Sequence, residues 1–355
     1  MATNFLVQFT KRDAILYALG IGCCDSNTST EDSSNSDPNN AQSKNRELRY
    51  VYENHPLFEL FPTFLLSLTF QAELLTYGER SVGKHPVLHM KQTFTMHQQL
   101  MMDKTTREID TPVNMWLETR VLLIDPRSIG TFVTSDTNFY RQVDGCKKCI
   151  ANATMTALVL GVDPEMVHKY GSRTKKDSDD KISENKTTVA RRKRYSYQIP
   201  QNAALIYRLS GDYNPIHVEG KSDVLNAMGV SSSKGPVLHG LCTLGYAVRA
   251  ALAYVEEMGS HDAKPKMISV ECSFVKPVFV GDSLEVVISD QTTVAMQSKN
   301  LLKIAFKMYR CETSKPTGNA GYTDFNSNNE LVVEKGTALL SLKDDLELTK
   351  EVTML

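Results

Sequence analysis

Two side chains capable of acid–base work, Asp212 and His217, fall close together with the Asn214 amide between them, in the run YRLSGDYNPIH from Tyr207 to His217. A carboxylate and an imidazole held side by side can position a water molecule and take a proton from it. The intervening residues read as a rigid corner. Asn214 is a preferred helix N-cap, and Pro215 suits a first helical position, because the amide it lacks has no partner there. The spacing therefore predicts a helix from about Pro215, with His217 in its first turn, where the helix dipole opposes a positive imidazole. Gly211 permits close approach to backbone or ligand. A second reading of the same residues is a capped turn whose Asp and His only satisfy local amides.

The elements that would carry this corner are legible around it. Residues 202–209 show a short helical pattern, and 235–258 (GPVLHGLCTLGYAVRAALAYVEEM) is apolar nearly all round at its start, predicting a buried helix. Strand-like runs rich in Val, Ile, Phe and Thr follow at 267–280, 283–294, 301–311 and 331–342. One buried helix followed by consecutive strands implies an antiparallel sheet wrapped about that helix. The first half repeats the order more faintly. Helical patterns near 11–20 and 57–76 precede strand-like runs at 90–99, 113–123, 130–140 and 149–160. Two units of similar order point to duplication, the halves packed as a pseudo-dimer.

The chain has 355 residues, a length that suits two compact units. With 40 basic against 41 acidic side chains, nothing global argues for nucleic-acid binding. No apolar run reaches transmembrane length, and no signal peptide is read at the N-terminus. Seven cysteines without regular spacing point to free thiols in a reducing compartment. Cys146 and Cys149 form a lone CxxC in a strand-like run, where packing competes with metal binding; a structural zinc wants four ligands, and none is assigned. Two polar segments cannot bury enough apolar surface to order themselves: 25–46, read as an insert, and 171–194, read as a linker. The basic cluster ending the latter, ARRKR, is a solvated linker, with a targeting signal or anion contact as the alternative. A further loop is expected at 313–329. The division is thus 1–170, 171–194 and 195–355, the last unit carrying the chemistry.

GDYNPIH (Gly211–His217), followed some twenty residues later by GPVLHG (Gly235–Gly240), resembles the hydratase 2 motif of the MaoC-like dehydratases. FVKPVFVGDSLEV (Phe274–Val286) is similar to the strand pair that follows in that family, so three blocks match in order over 201–290. The first half resembles the N-terminal half of the eukaryotic two-domain members, through KRDAILYALGIG and an echo of GPVLHG at Pro86-Val87-Leu88-His89. The resemblance implies an α+β double hot-dog, two antiparallel sheets each wrapped round a long helix. It also implies an (R)-specific 2-enoyl-CoA hydratase that needs no cofactor, CoA being part of the substrate. Asp212 and His217 would activate water, with Asn214 supporting their network. The Gly240 N–H at the helix start would meet the thioester oxygen as charge builds on it. One water would supply hydroxyl to C3 and proton to C2 by syn addition, giving a (3R)-hydroxyacyl-CoA.

Gly211, Pro236 and His239, from the same blocks, are the candidate substrate contacts; for His239, a purely structural hydrogen bond at a buried helix start competes. His89 has no accompanying GDxNPxH, so the first half is expected to have lost the catalytic pair and to shape an acyl tunnel. Where the family has a small residue six positions after the motif His, this chain has Asp223, with Gly220 interrupting and Ala227 and Gly229 late. Two other functions fit the fold class: a hot-dog thioesterase, and a non-catalytic acyl-CoA or partner-binding module. The partner expected is an acyl-CoA thioester, and homodimerisation is compatible with the fold. The resemblance implies a peroxisomal enzyme of fatty acid β-oxidation, although Thr353-Met354-Leu355 is not an SKL-type signal. The start at Met1 and the lack of GxGxxG lead to the expectation of a stand-alone hydratase.

Overall fold

Alternation of buried and open side chains marks the strands that build the sheet. In β4 (Val113–Arg127) Met115, Leu117 and Thr119 point inward, and in β9 (Ser283–Asp290) Leu284, Val286 and Ile288 do. The computed structural model describes residues 2–24, 28–30, 46–77, 87–100, 102, 108–143, 145–161, 192–220, 235–258, 264–311 and 329–342. The first half gives β1 (Ala2–Phe9), α1 (Lys11–Gly20), α2 (Phe64–Tyr77), β3 (Val87–Met96), β4, β5 (Gly130–Val143) and β6 (Cys146–Val159). The second gives β7 (Arg192–Gln198), α3 (Ala203–Tyr207), α4 (Gly240–Met258), β8 (Lys266–Phe274), β9, β10 (Leu301–Cys311) and β11 (Glu330–Ser341). A short strand, β2 (Thr28–Thr30), pairs with β7 at the far edge.

The described strands form one antiparallel sheet in the order β1-β4-β5-β6-β3-β8-β11-β10-β9-β7-β2. Leaving β2 aside, each half has the same internal order. β1-β4-β5-β6-β3 on one side answers β7-β9-β10-β11-β8 on the other, and the two meet at β3 and β8. The seam is a ladder from Lys91↔Ser273 to Thr95↔Ser269. The duplication read from element order is thus repeated in the strand order, with a pseudo-twofold between β3 and β8. Helix α4 packs on β7, β9 and β10, while α2 packs on β1 and β4. Thr10 caps α1 in a reciprocal capping box with Asp13. Gly245 lets α4 close on the end of α1, since a Cβ there would fall 2.4 Å from Ile21 Cγ2.

Several boundaries differ from the sequence expectation, each for a local reason. The buried helix starts at Gly240 rather than Gly235. Residues 235–239 are extended, with Val237 bridging Phe279 and the Leu238 N–H donating to the Val278 carbonyl at 2.7 Å; Pro236 biases its predecessor away from helix. The helix expected from Pro215 is one 3₁₀ turn, Pro215–His217, too short for a macrodipole to act on His217. Arg192–Arg194 of the expected linker belong to β7. Tyr195 and Tyr197 give that strand its buried face, and Lys193 and Arg194 pair with Glu257 and Glu285 at 2.6 and 3.3 Å. Within the expected insert, Thr28–Thr30 forms β2, and Arg46 opens a helical turn over 46–51. Cys146 and Cys149 are both exposed rather than packed, and strand geometry sends residues three apart to opposite faces. The rest of the insert and linker, Asp223, Ala227, Gly229, nearly all of the 313–329 loop and the C-terminal tripeptide lie outside the described residues.

Candidate active site

The corner at Asp212 is built by backbone conformation and short-range hydrogen bonds. Gly211 has φ 121°, a left-handed value that a side chain would resist. Asp212 Oδ1 accepts from the Asn214 N–H at 3.2 Å, and Asn214 Oδ1 accepts from the Ile216 N–H at 3.3 Å. Asn214 therefore does serve as the N-cap. His217 Nδ1 donates to the Val237 carbonyl at 2.8 Å, and the Val237 N–H returns to the Ile216 carbonyl at 3.2 Å. These two bonds fasten the motif turn to the strand-like segment before α4. They also fix the tautomer: with its proton on Nδ1, a neutral His217 keeps its Nε2 lone pair free. That Nε2 lies 3.6 Å from Asp212 Oδ2, beyond a direct hydrogen bond and close enough to share a water.

His239 supports this pair from behind. Its ring stacks on His217 at 3.5 Å between centroids and 21° between planes, with Tyr207 on another side at 4.8 Å. Its Nε2 donates to the Asp212 carbonyl at 3.2 Å. Burial, reinforced by the neighbouring His217, lowers the His239 pKa to about 3, so this ring is neutral. For Asp212, burial alone would raise the pKa; His217 and His239 together with the Asn214 N–H outweigh it and bring the carboxyl to about 2. The site thus holds an ionised carboxylate beside the His217 imidazole. Ligand atoms of Asp212, His217 and His239 lie within 4.8 Å of one another, a spacing a metal ion could span. Two nearly parallel stacked imidazoles, however, keep their lone pairs in separate planes and do not converge on one ion.

A cavity of about 420 Å³ opens in front of the pair, between the two halves. Gly211, Asp212, Asn214, His217 and Gly240 line it from the second half, and Val133, Met155, Ala157 and Val159 wall it from the first. Gly240 is the first residue of α4, where backbone N–H groups have no partner within the helix. The structure therefore brings together Asp212, Asn214, His217, Gly211 and Gly240. Pro236 and His239 are not among the lining residues; the Pro236 carbonyl accepts from the Val280 N–H at 3.2 Å. Two participants escaped the sequence. The Val237 carbonyl that orients His217 leaves no side-chain signal. His89, read as a relic of the first half, lines the same cavity, and only its GPVLHG echo hinted at this.

Comparison with known proteins agrees with both halves. The family description "MFE-2 hydratase 2 N-terminal domain" matches residues 7–161, and "MaoC like domain" matches residues 182–304. Peroxisomal multifunctional enzyme type 2 of Drosophila melanogaster is 26% identical over 325 residues, 90% of this chain and 46% of the relative. The chain thus spans less than half of that relative's length. Among solved structures, a MaoC-like dehydratase from Phytophthora capsici is 19% identical, with a TM-score of 0.58 over 97% of this chain and 96% of its own. A Mycobacterium tuberculosis protein described as a double hotdog fold is 11% identical, with a TM-score of 0.54 over 96% and 95%. At these identities the solved structures bear on the fold alone, which is the α+β double hot-dog. Two adjoining family matches, a mirrored sheet and the motif at the mouth of the inter-half cavity give this chain a first half of the MFE-2 hydratase 2 N-terminal domain type and a second half of the MaoC-like domain type.

Proposed function

We propose that this protein hydrates trans-2-enoyl-CoA thioesters to (3R)-3-hydroxyacyl-CoA. The observation that carries the reading is the pairing of Asp212 and His217, 3.6 Å apart, in one cavity with the α4 N-terminus. A water between them donates one O–H to the Asp212 carboxylate and the other to His217 Nε2, gaining nucleophilicity toward C3 of the enoyl group. As C3 is attacked, negative charge moves to the thioester oxygen, where the Gly240 N–H and the α4 dipole stabilise it. The proton taken from the water returns to C2 on the same face, so no cofactor is required and atoms balance. Asn214 holds the turn that carries both side chains. Gly211 gives that turn its left-handed bend. The apolar first-half wall receives the acyl chain. The relatives' names support a peroxisomal site, and a place in fatty acid β-oxidation rests on the family resemblance.

The test follows loss of enoyl-thioester absorbance with short and medium trans-2-enoyl-CoA, on wild type and Asp212→Ala, with the product's configuration determined. Wild type is expected to form the R alcohol, and the variant to lose about 10²–10⁴-fold in rate while remaining folded. Release of free CoA thiol would instead identify a thioesterase. A folded wild type that turns over neither way would identify a binding module.

A further inference from the structure

His89 is a buried polar group that the hydration chemistry above does not use. Its Nε2 is shielded from solvent and has no hydrogen-bond partner among the described residues, an unfavourable state unless a ligand completes it. The local backbone explains how it comes to face the cavity. Pairing of β3 with β6 slips between His89 and Lys91, a bulge of the kind that re-aims a side chain, and the β3–β8 ladder begins only at Lys91. The ring packs edge-on against Phe274, 4.9 Å between centroids. It also covers Gly240, whose Cβ, if it had one, would lie 3.4 Å from His89 Cβ. The His89 side chain of the first half therefore packs against the helix start whose amide is assigned to the thioester oxygen.

The protonation pattern selects what His89 Nε2 can meet. Hydrogen bonds to the Lys91 backbone and the Gln92 side chain both favour the protonated ring, which marks both as acceptors. Gln92 Nε2 is already donating to the Thr93 and Thr154 carbonyls at 2.7 and 3.2 Å, so its oxygen is the atom left to accept. With Nε2 unpartnered, those bonds belong to Nδ1, and Nε2 presents a lone pair. A lone pair cannot hold the thioester oxygen, which only accepts. Nor is the attacking water available, since Asp212 and His217 take its two O–H groups. On an acyl-CoA, the nearest remaining donor to the thioester is the cysteamine amide N–H, two methylenes beyond the sulfur.

We propose that His89 Nε2 accepts a hydrogen bond from this pantetheine amide, so that the first half of the chain recognises the carrier arm as well as the acyl chain. The assignment rests on the acyl-thioester reading of the site. It is tested with one trans-2-enoyl group carried either as its N-acetylcysteamine thioester or as an S-alkyl thioester of matching length without the amide. Wild type is expected to prefer the amide-bearing substrate in kcat/KM by about tenfold, mainly through KM. His89→Leu is expected to abolish the preference, and His89→Gln to restore it through its side-chain carbonyl. Equal losses on both substrates, with the ratio unchanged, would show that His89 only packs and would overturn the proposal, as would a loss confined to kcat. Calorimetric binding of the saturated analogues reads the same amide difference without turnover. A wild type that binds with this preference but hydrates neither substrate would defeat the hydratase reading and leave the His89 contact standing.

Discussion

At the scale of single residues, the site depends on groups kept in defined protonation states by burial. His239 and His89 are neutral because burial lowers them to about 3 and about 4, against an ordinary value near 6.5. In the unfolded chain both take up protons as pH falls through 6.5; in the folded chain they do so only near their lowered values. The stability they contribute is therefore complete above about pH 6.5 and is lost as pH falls toward 4 and then 3. Asp212, depressed to about 2, adds to the slope only from about pH 5 downward, where carboxylates of the unfolded chain begin to take up protons. The denaturant midpoint is expected to drop between pH 7 and pH 4, and His239→Gln, which retains a donor toward the Asp212 carbonyl, should flatten the slope. An unchanged slope in that variant would remove His239 from this account.

At the scale of elements, the start of α4 carries the amide proposed to hold the oxyanion. Gly240 is the first helical residue, and proline is tolerated at that position because its missing N–H has no helical partner. Gly240→Pro thus deletes the one amide under discussion while keeping the helix. We expect kcat to fall about 10²–10³-fold, the range seen when one oxyanion donor is removed, with the thermal midpoint close to wild type. A folded variant with wild-type kcat would move the oxyanion contact elsewhere. The same element shows where local reading stops. The apolar run from Gly235 reads as continuous helix, but Val237 and Leu238 are taken by the Val278–Val280 segment, and that diversion creates the carbonyl which orients His217. The 3₁₀ turn at Pro215 is shorter than its capping residues suggest for a similar reason, because its exit is tied to a distant strand.

At the scale of the whole molecule, a buried ion pair ties the first half to the core helix of the second. Arg249 of α4 is 4% exposed and binds Glu47 at 2.8 and 3.0 Å and the Ile21 carbonyl at 3.1 Å. Arg49 meets Glu59 at 3.0 Å and Glu256 of α4 at 2.6 Å. Removing one partner strands a buried charge. Glu47→Ala is expected to destabilise the protein by about 3–5 kcal/mol, read from chemical denaturation. Together with the β3–β8 ladder, these links predict one cooperative unfolding transition for both halves. Two separated transitions in the wild type would contradict it.

The sequence by itself determined the motif Asp212-Asn214-His217, the existence and order of most elements, and the repetition of that order, because these rest on local spacing and on side-chain periodicity. Gly240 as the helix-start amide came from the family resemblance, while the apolar pattern itself began the helix five residues early. Only the tertiary structure decided that β3 and β8 join the halves, that Val237 sets the His217 tautomer, and that His89 faces the cavity. Each of those depends on a hydrogen bond or ladder between residues far apart in the chain, chiefly through backbone atoms that every residue carries, so no residue type announces them in advance.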